Sequence, residues 1–191
     1  MDSGHPDGAP TPPSPTVEYL SLDDGTPITI RPIRPSDFEL VRAFDASLSP
    51  ATHRDRWHAA RKLTSDDLRR LTEIDHDREE ALIAVVETSA GEREVGVARY
   101  VRDRAGDRCE FAVVVADGVQ RRGLGERLMR GLLRTAAARG IAAMTGATAA
   151  TNNRMVALAR KLGFHAARDP RDATMISLCL SLVRGKSAVA C

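Results

Sequence analysis

Two β-rich runs flank Asp24-Gly25 in "VEYLSLDDGTPITIRPI", the first patterned stretch of the chain. Asp-Gly is a pair that tight hairpin turns favour, so this stretch is predicted as a β-hairpin. The period then changes. In "RPSDFELVRAFDASLSP", Phe38, Val41 and Phe44 fall on one helical face, with Ser36 or Asp37 as the cap and Pro50 as the stop. "SPATHRDRWHAARKL" and "TSDDLRRLTEI" read as two further short helices, the second capped by Thr64 or Ser65. Three apolar runs follow, "ALIAVVET", "EVGVARYVR" and "CEFAVVV", with connections of hairpin length, which predicts antiparallel neighbours. Beyond them Leu124, Leu128, Leu132 and Ala136 repeat at helical spacing until Gly140. "IAAMTGATAA" is a buried strand, and "TNNRMVALARKLGF" is a capped helix with Met155, Leu158, Ala159 and Leu162 inward and Gly163 past its end. "ATMISLCLSL" closes the sheet. The order is hairpin, helices, meander, βαβ, helix and strand: an α/β protein with a mixed sheet flanked by helices.

Composition narrows the class without naming it. A chain of 191 residues fits one domain with a sizeable core, and 42% hydrophobic with 28% charged residues is ordinary for a globular protein. A net charge of +2 is too small to argue for nucleic acid or a membrane surface. No apolar run approaches the ~20 residues that span a bilayer. Residues 1–16 hold five of the ten prolines and lack both a basic start and an apolar core. They read as a disordered Pro-rich tail, ahead of a single domain over 17–184 and a short tail over 185–191. Cys109, Cys179 and Cys191 have neither metal-ligand nor CxxC spacing. The first two, in apolar strands, are expected as buried thiols, which points to a reducing cytoplasm.

The candidate chemistry lies in "DGVQRRGLGERLM", a glycine-spaced turn between a buried strand and a helix. Three readings compete. The first backbone N–H groups of a helix lack partners and its dipole favours an anion, so the turn can cradle a phosphate. Gly123 and Gly125 would let the chain approach it closely, and Gln120, Arg121 and Arg122 would add donors at the rim. The turn can also be purely structural. Neither the P-loop Lys-Ser/Thr pair nor the third glycine of a dinucleotide fingerprint is present. The third reading is a basic patch, since Arg121 to Arg139 includes six arginines against the single Glu126. Those arginines alternate with leucines as on a solvated helix face, and no aromatic platform lies nearby to stack bases. His53, Trp57 and His58 invite a metal or stacking reading, but no His/carboxylate cluster supports a metal. Trp57 fits a core or groove wall better. "TEIDHDREE" could meet a lysine-bearing partner, with a solvated loop as the default.

The context of the turn resolves the choice. "EFAVVVADGVQRRGLGERLM" resembles the Q/R-x-x-G-x-G/A turn of the GCN5-related N-acetyltransferases (GNAT), with Gln120, Gly123 and Gly125 in register. "NNRMVALARKLGF" is similar to that family's later Asn-initiated helix ending in Gly-Phe. The resemblance runs from about "LDDGTPITIRPIRPSD" to the last strand. Through "RPIRPSD", "ARKLT", "GVARYV" and "EFAVVV" it is closest to the bacterial protein-lysine acetyltransferases that modify acyl-CoA synthetases.

The resemblance implies a GNAT fold, with a mixed, mostly antiparallel sheet splayed at the strand that binds acyl-CoA. It implies acetyl-CoA as donor, coenzyme A as product and no metal. Backbone N–H groups of Arg122, Gly123, Leu124, Gly125 and Glu126 would hold the pyrophosphate, with Gln120 and Arg121 beside them. The edge of Val113, Val114 and Val115 would pair with the pantetheine amides as an added strand, and an N–H near Val113 or Val114 would meet the thioester oxygen. Asn153 would contact the coenzyme A arm, or serve only as a helix N-cap or N1 residue. Glu110 is the expected general base. A lysine amine (pKa ~10.4) must lose a proton before it attacks, and a partly buried carboxylate beside the thioester can take it, directly or through water. Alone, a strand glutamate is more often an ion-pair residue, but Glu110 shares its strand face with Ala112 and Val114. The family's usual tyrosine acid is replaced by Ala159, so coenzyme A would leave as a thiolate. Cys109 points away from Glu110, which favours direct transfer over a cysteine intermediate.

The implied function is acetyl transfer to a protein lysine, with an AMP-forming acyl-CoA synthetase as a candidate partner and neither nucleic acid nor membrane involved. Two alternatives stay open: acetylation of a small-molecule amine, and a non-catalytic acyl-CoA-sensing domain. The chain leaves little room for a built-in regulatory domain, and Lys62, Lys161 and Lys186 are the only lysines for self-modification.

Overall fold

Eight strands build one sheet, and its middle is the meander that the three apolar runs predict. The computed structural model describes residues 17–57 and 63–183. The expected tails, His58 and the Trp57 side chain lie outside the described residues. Strands β1 (Glu18–Ser21) and β2 (Pro27–Pro32) form the hairpin, followed by α1 (Phe38–Ser47), α2 (Pro50–Trp57) and α3 (Ser65–Thr72). The meander is β3 (Glu79–Thr88), β4 (Gly91–Arg102) and β5 (Arg108–Val115). Then come α4 (Leu124–Ala138), β6 (Ala143–Ala149), α5 (Asn153–Lys161), β7 (His165–Arg168) and β8 (Met175–Ser181). The strand order is β1-β2-β3-β4-β5-β6-β8-β7, and the described ladders are antiparallel except for β5 with β6.

The helix ends follow local chemistry. Thr64 caps α3 in a reciprocal box: Asp67 N–H donates to its hydroxyl at 3.2 Å, and Thr64 N–H donates to the Asp67 carboxylate at 2.9 Å. Asp37 precedes α1 but does not cap it with its side chain. Its buried carboxylate instead accepts two bonds of 2.8 Å from the Arg31 guanidinium and one of 2.7 Å from Arg34 N–H. Pro50 ends α1 and also opens α2, behind Ser49, whose hydroxyl accepts from Thr52 N–H at 3.2 Å.

The sheet buries both faces. Leu124, Leu128 and Leu132 of α4 join Ala159 of α5 over one face, with Cys109, Phe111, Tyr100 and Met144 beneath them. Val41 of α1 and Leu68 of α3 cover Ala81, Ile83 and Val85 on the other. The sequence reading gives seven strands; β7 is the addition. It is a four-residue edge strand, "HAAR", paired with β8 alone, so β8 lies inside the sheet. Cys179, expected as a thiol, is disulfide-bonded. Among the described residues no helix is long and apolar enough to cross a membrane.

Strands β5 and β6 part soon after they meet. Their parallel ladder covers Arg108↔Ala143, Cys109↔Met144 and Glu110↔Thr145. The Phe111 ring lies at the fork, against Gly146 of β6 and 5.0 Å, centroid to centroid, from Phe164. A Cβ on Gly146 would stand 2.6 Å from that ring, so only glycine leaves room for it.

Candidate active site

The fork opens into a cleft of about 870 Å³, within the size range of small-molecule sites. Its floor is β5 from Glu110 to Val115, and its walls are the turn before α4, the start of α5, and Ala51 with Thr52 of α2. Of the site residues predicted from sequence, Glu110, Val113, Val114, Val115, Gln120, Arg121, Gly123, Leu124, Gly125, Glu126 and Asn153 line it. Arg122 does not. Its guanidinium turns away to pair with Asp24 of the β1–β2 hairpin, so only its backbone remains available to the turn.

Backbone conformation explains the turn. Gly123 sits at φ 77° as the N-cap of α4, and no side chain caps that helix. No neighbour would crowd a Cβ there, so the demand for glycine comes from the left-handed backbone alone. Arg121, at φ 65°, is the one non-glycine in that region among the described residues. Left-handed backbone costs an L-residue ~1–2 kcal/mol, and such strain gathers at ligand clamps. The N–H groups of the first turn of α4 therefore lack both intrahelical and side-chain acceptors and face the cleft.

Charge around the mouth is mixed. Arg121, Arg154 and Lys161 bring three cations to the lining. Glu126 pairs with Lys161 at 2.6 Å and Arg130 at 2.8 Å, and these two bonds hold its carboxyl below the usual range. The one acid in the first turn of the helix is thus compensated before any anion arrives. Donor set, volume and open backbone fit a pyrophosphate with an extended arm.

Ladder geometry selects the strand edge that can pair. Ala116 N–H donates to Val95 O at 2.9 Å, and the antiparallel register alternates from there. Val114, Ala112 and Glu110 therefore direct their backbone groups to β4, while Phe111, Val113 and Val115 direct theirs into the gap. Gln120 Nε2 already donates to the Val115 carbonyl at 3.0 Å. Of the two positions expected to meet a thioester oxygen, Val113 has its N–H on the open side and Val114 does not.

Side chains alternate too. Cys109 is 1% exposed in the core, and burial pushes its thiol up to about 12. Glu110, on the opposite face, is exposed rather than partly buried, at the last rung of the β5–β6 ladder. Ala159 is fully buried and supplies no acid. Tyr19 is exposed on β1, and Tyr100 is buried beside Arg139, which donates to its hydroxyl at 3.2 Å. Neither tyrosine lines the cleft. His53 pairs with Asp45 at 3.0 Å, and among the described residues no His, Cys, Asp and Glu group could hold a metal.

Several lining residues escape the sequence reading, and three of them organise the rim. Asn152, not Asn153, caps α5 by accepting from Met155 N–H at 3.1 Å; Asn153 is the first helical residue. Arg154 donates to the Gln120 side-chain carbonyl, fixing its amide. Asp117 accepts from Thr52 of α2 at 2.7 Å.

Comparison with known proteins identifies the family and the fold. The family model described as an acetyltransferase (GNAT) domain matches residues 28–165. The acetyltransferase PA5475 of Pseudomonas aeruginosa is 39% identical over 163 residues, spanning 85% of this chain and 88% of that protein. The GNAT domain of S. lividans PAT superposes with a TM-score of 0.77 at 25% identity, covering 86% of this chain and 96% of that one. The yncA structure from Salmonella typhimurium, solved with its cofactor acetyl-CoA, has the same fold, with a TM-score of 0.66 at 21% identity over 86% of this chain and 99% of its own. By fold, family match and full-length relative, the chain belongs to the GNAT acetyltransferases.

Proposed function

We propose that the protein transfers the acetyl group of acetyl-CoA directly to a lysine amine of a partner protein, with Glu110 as general base. The carrying observation is the position of Glu110: an exposed carboxylate at the rung where β5 and β6 part, inside the cleft that contains the uncapped helix start. Acetyl-CoA supplies the thioester. The first-turn N–H groups of α4 and the cations Arg121, Arg154 and Lys161 would hold its phosphates, and the Val113 N–H would donate to the thioester oxygen as negative charge develops. Glu110 takes a proton from the ammonium through water. The amine nitrogen bonds to the acetyl carbon, the carbon–sulfur bond breaks and coenzyme A departs as a thiolate, while the second proton on the nitrogen passes to solvent as the amide forms. A free thiol has a pKa of ~8.5, so departure without an acid is tolerable near neutral pH. The likeness to the GNAT domain of S. lividans PAT supports a protein acceptor, with an AMP-forming acyl-CoA synthetase as the first candidate.

The test incubates the full chain with acetyl-CoA, such a synthetase and a panel of small amines, followed by mass spectrometry. Acetylation of a synthetase lysine is the expected result; acetylation of small amines alone would replace a protein acceptor with a small one. The Glu110→Gln enzyme should retain coenzyme A affinity and lose ~10²-fold or more in turnover. Unimpaired turnover would remove Glu110 from the mechanism.

A further inference from the structure

Helix α2 is held to the donor side of the cleft by one carboxylate. Asp117 lies in the short turn between β5 and the cradle. Its Oδ2 accepts from Ser49 N–H at 3.0 Å, and its Oδ1 accepts from the Ser49 hydroxyl at 3.0 Å and the Thr52 hydroxyl at 2.7 Å. Ser49 and Thr52 are the capping residue and the first-turn hydroxyl of α2, so a negative charge also sits at the positive end of that helix. The next link is Gln120, whose Nε2 is 3.5 Å from Thr52 Oγ1 and whose carbonyl is held by Arg154 of α5. Polar contacts thus run from α2 through the cradle turn to α5, around one rim of the cleft.

Among the described side chains of α2, the other tie is His53, which pairs with Asp45 of α1 at 3.0 Å and holds the helix to α1 rather than to the cradle. The helix sequence, "PATHRDRW", is polar, and Ala51 and Thr52 face the cleft rather than a core. The wall they form stands on the sheet face that carries Glu110, Ala112 and Val114, away from α4. On the cradle reading above, that is the side from which an amine approaches.

We propose that Asp117 is a positioning residue: it ties the acceptor-side wall to the donor loop, so that coenzyme A in the cradle fixes α2 and completes the acceptor site. Gripping a pyrophosphate at residues 121–126 immobilises the loop that begins at Asp117, and the three hydrogen bonds carry that restraint to α2. The acceptor site then forms on the loaded enzyme. The inference rests on the cradle assignment, but is tested separately from it.

Hydrogen exchange of the full chain, with and without coenzyme A, reads the coupling in peptides covering residues 49–57, while calorimetry reads coenzyme A affinity. In the wild type, coenzyme A should slow exchange in α2 by about tenfold, the scale of a charge-assisted hydrogen bond. Asp117→Ala should abolish that slowing while coenzyme A affinity falls by no more than the about tenfold that reciprocal coupling allows. Asp117→Asn, which retains one acceptor oxygen, should preserve part of it, and Ser49→Ala with Thr52→Val should reproduce the loss from the other side. If α2 in Asp117→Ala still responds to coenzyme A, or if affinity falls by much more than about tenfold, the proposal is overturned. A wild type that binds coenzyme A with no response in α2 refutes the coupling alone. One that does not bind it refutes the cradle, and the coupling with it.

Discussion

Adding one methyl group at Gly146 tests whether the Phe111 ring is what holds the fork of the sheet open. In Gly146→Ala the new Cβ would lie 2.6 Å from Cε1 and 3.0 Å from both Cδ1 and Cζ of Phe111. Carbon atoms prefer separations of ~3.5–4.0 Å, so the ring must retreat by about 1 Å. It has little freedom to do so, being 7% exposed and packed against Phe164 at a 5.0 Å centroid distance. Overpacking of this kind costs ~1–3 kcal/mol, and each kcal/mol lowers the melting temperature of a domain this size by ~2–4 °C. Urea unfolding followed by circular dichroism would measure the loss. A double-mutant cycle would assign it: Phe111→Leu should be less costly in the Gly146→Ala protein than in the wild type, because it removes the clashing ring atoms. Coenzyme A affinity should fall with the wedge displaced and recover in part in the double variant. A Gly146→Ala protein within ~0.5 kcal/mol of wild-type stability would show that the ring is not confined, and the account of the splay would fail.

The cradle, the excluded cysteine route and the Asp117 anchor each have a direct check. Gly123→Glu should abolish coenzyme A binding in calorimetry, since it adds bulk and charge at the helix start; normal binding would remove the pyrophosphate assignment. Cys109→Ala should leave initial-rate kinetics with intersecting double-reciprocal lines, because a buried thiol pushed up to about 12 stays protonated near neutral pH. Parallel lines in the wild type that change in this variant would restore a cysteine intermediate. The hydrogen bonds from Ser49 N–H and the Thr52 hydroxyl hold the Asp117 carboxyl below its ordinary value. A lowered folded value stabilises the anchor above the unfolded pKa of ~3.9, and the contribution disappears as pH falls through the folded value. Acid should therefore speed exchange in α2 of the wild type beyond the intrinsic chemical rate, and Asp117→Asn should lack that added acid dependence.

Local signals were legible in the chain and distant partnerships were not. Apolar runs with hairpin-length connections placed the meander, apolar residues four apart placed α4, and the glycines at 123 and 125 marked the turn before it, each from physics confined to a few neighbours. Strand β7 escaped because "HAAR" has neither alternation nor bulk; it exists only because β8 offers an edge. Arg122 looked like a phosphate donor until the hairpin, 98 residues earlier, brought Asp24 to it. Asp117 and Ser49 are 68 residues apart, and nothing in either segment announces the other. Two consecutive asparagines also left the cap of α5 undecided, and the fold chose Asn152. In each case the missing information was a tertiary contact, which a one-dimensional pattern does not carry.

The same register that selects Val113 constrains how Glu110 works on the proposed reading. Three residues of strand separate them, about 10 Å at ~3.3 Å per residue. Val113 directs its N–H into the plane of the gap, while the Glu110 side chain leaves the sheet on the face walled by α2. A thioester whose oxygen is held at Val113 therefore lies too far along the strand for the carboxylate to touch the attacking nitrogen without a large displacement. Water entering from the open side can bridge that distance, and Glu110 is exposed there. On the proposed reading, the exposure that departs from the expected partial burial has a consistent role: Glu110 would act on the amine through solvent, at a site completed by the wall that Asp117 is proposed to fix. A general base can act through one water as well as by direct contact, so on the proposed reading the distance is compatible with catalysis and the order of the α2 wall bears on how that water is placed.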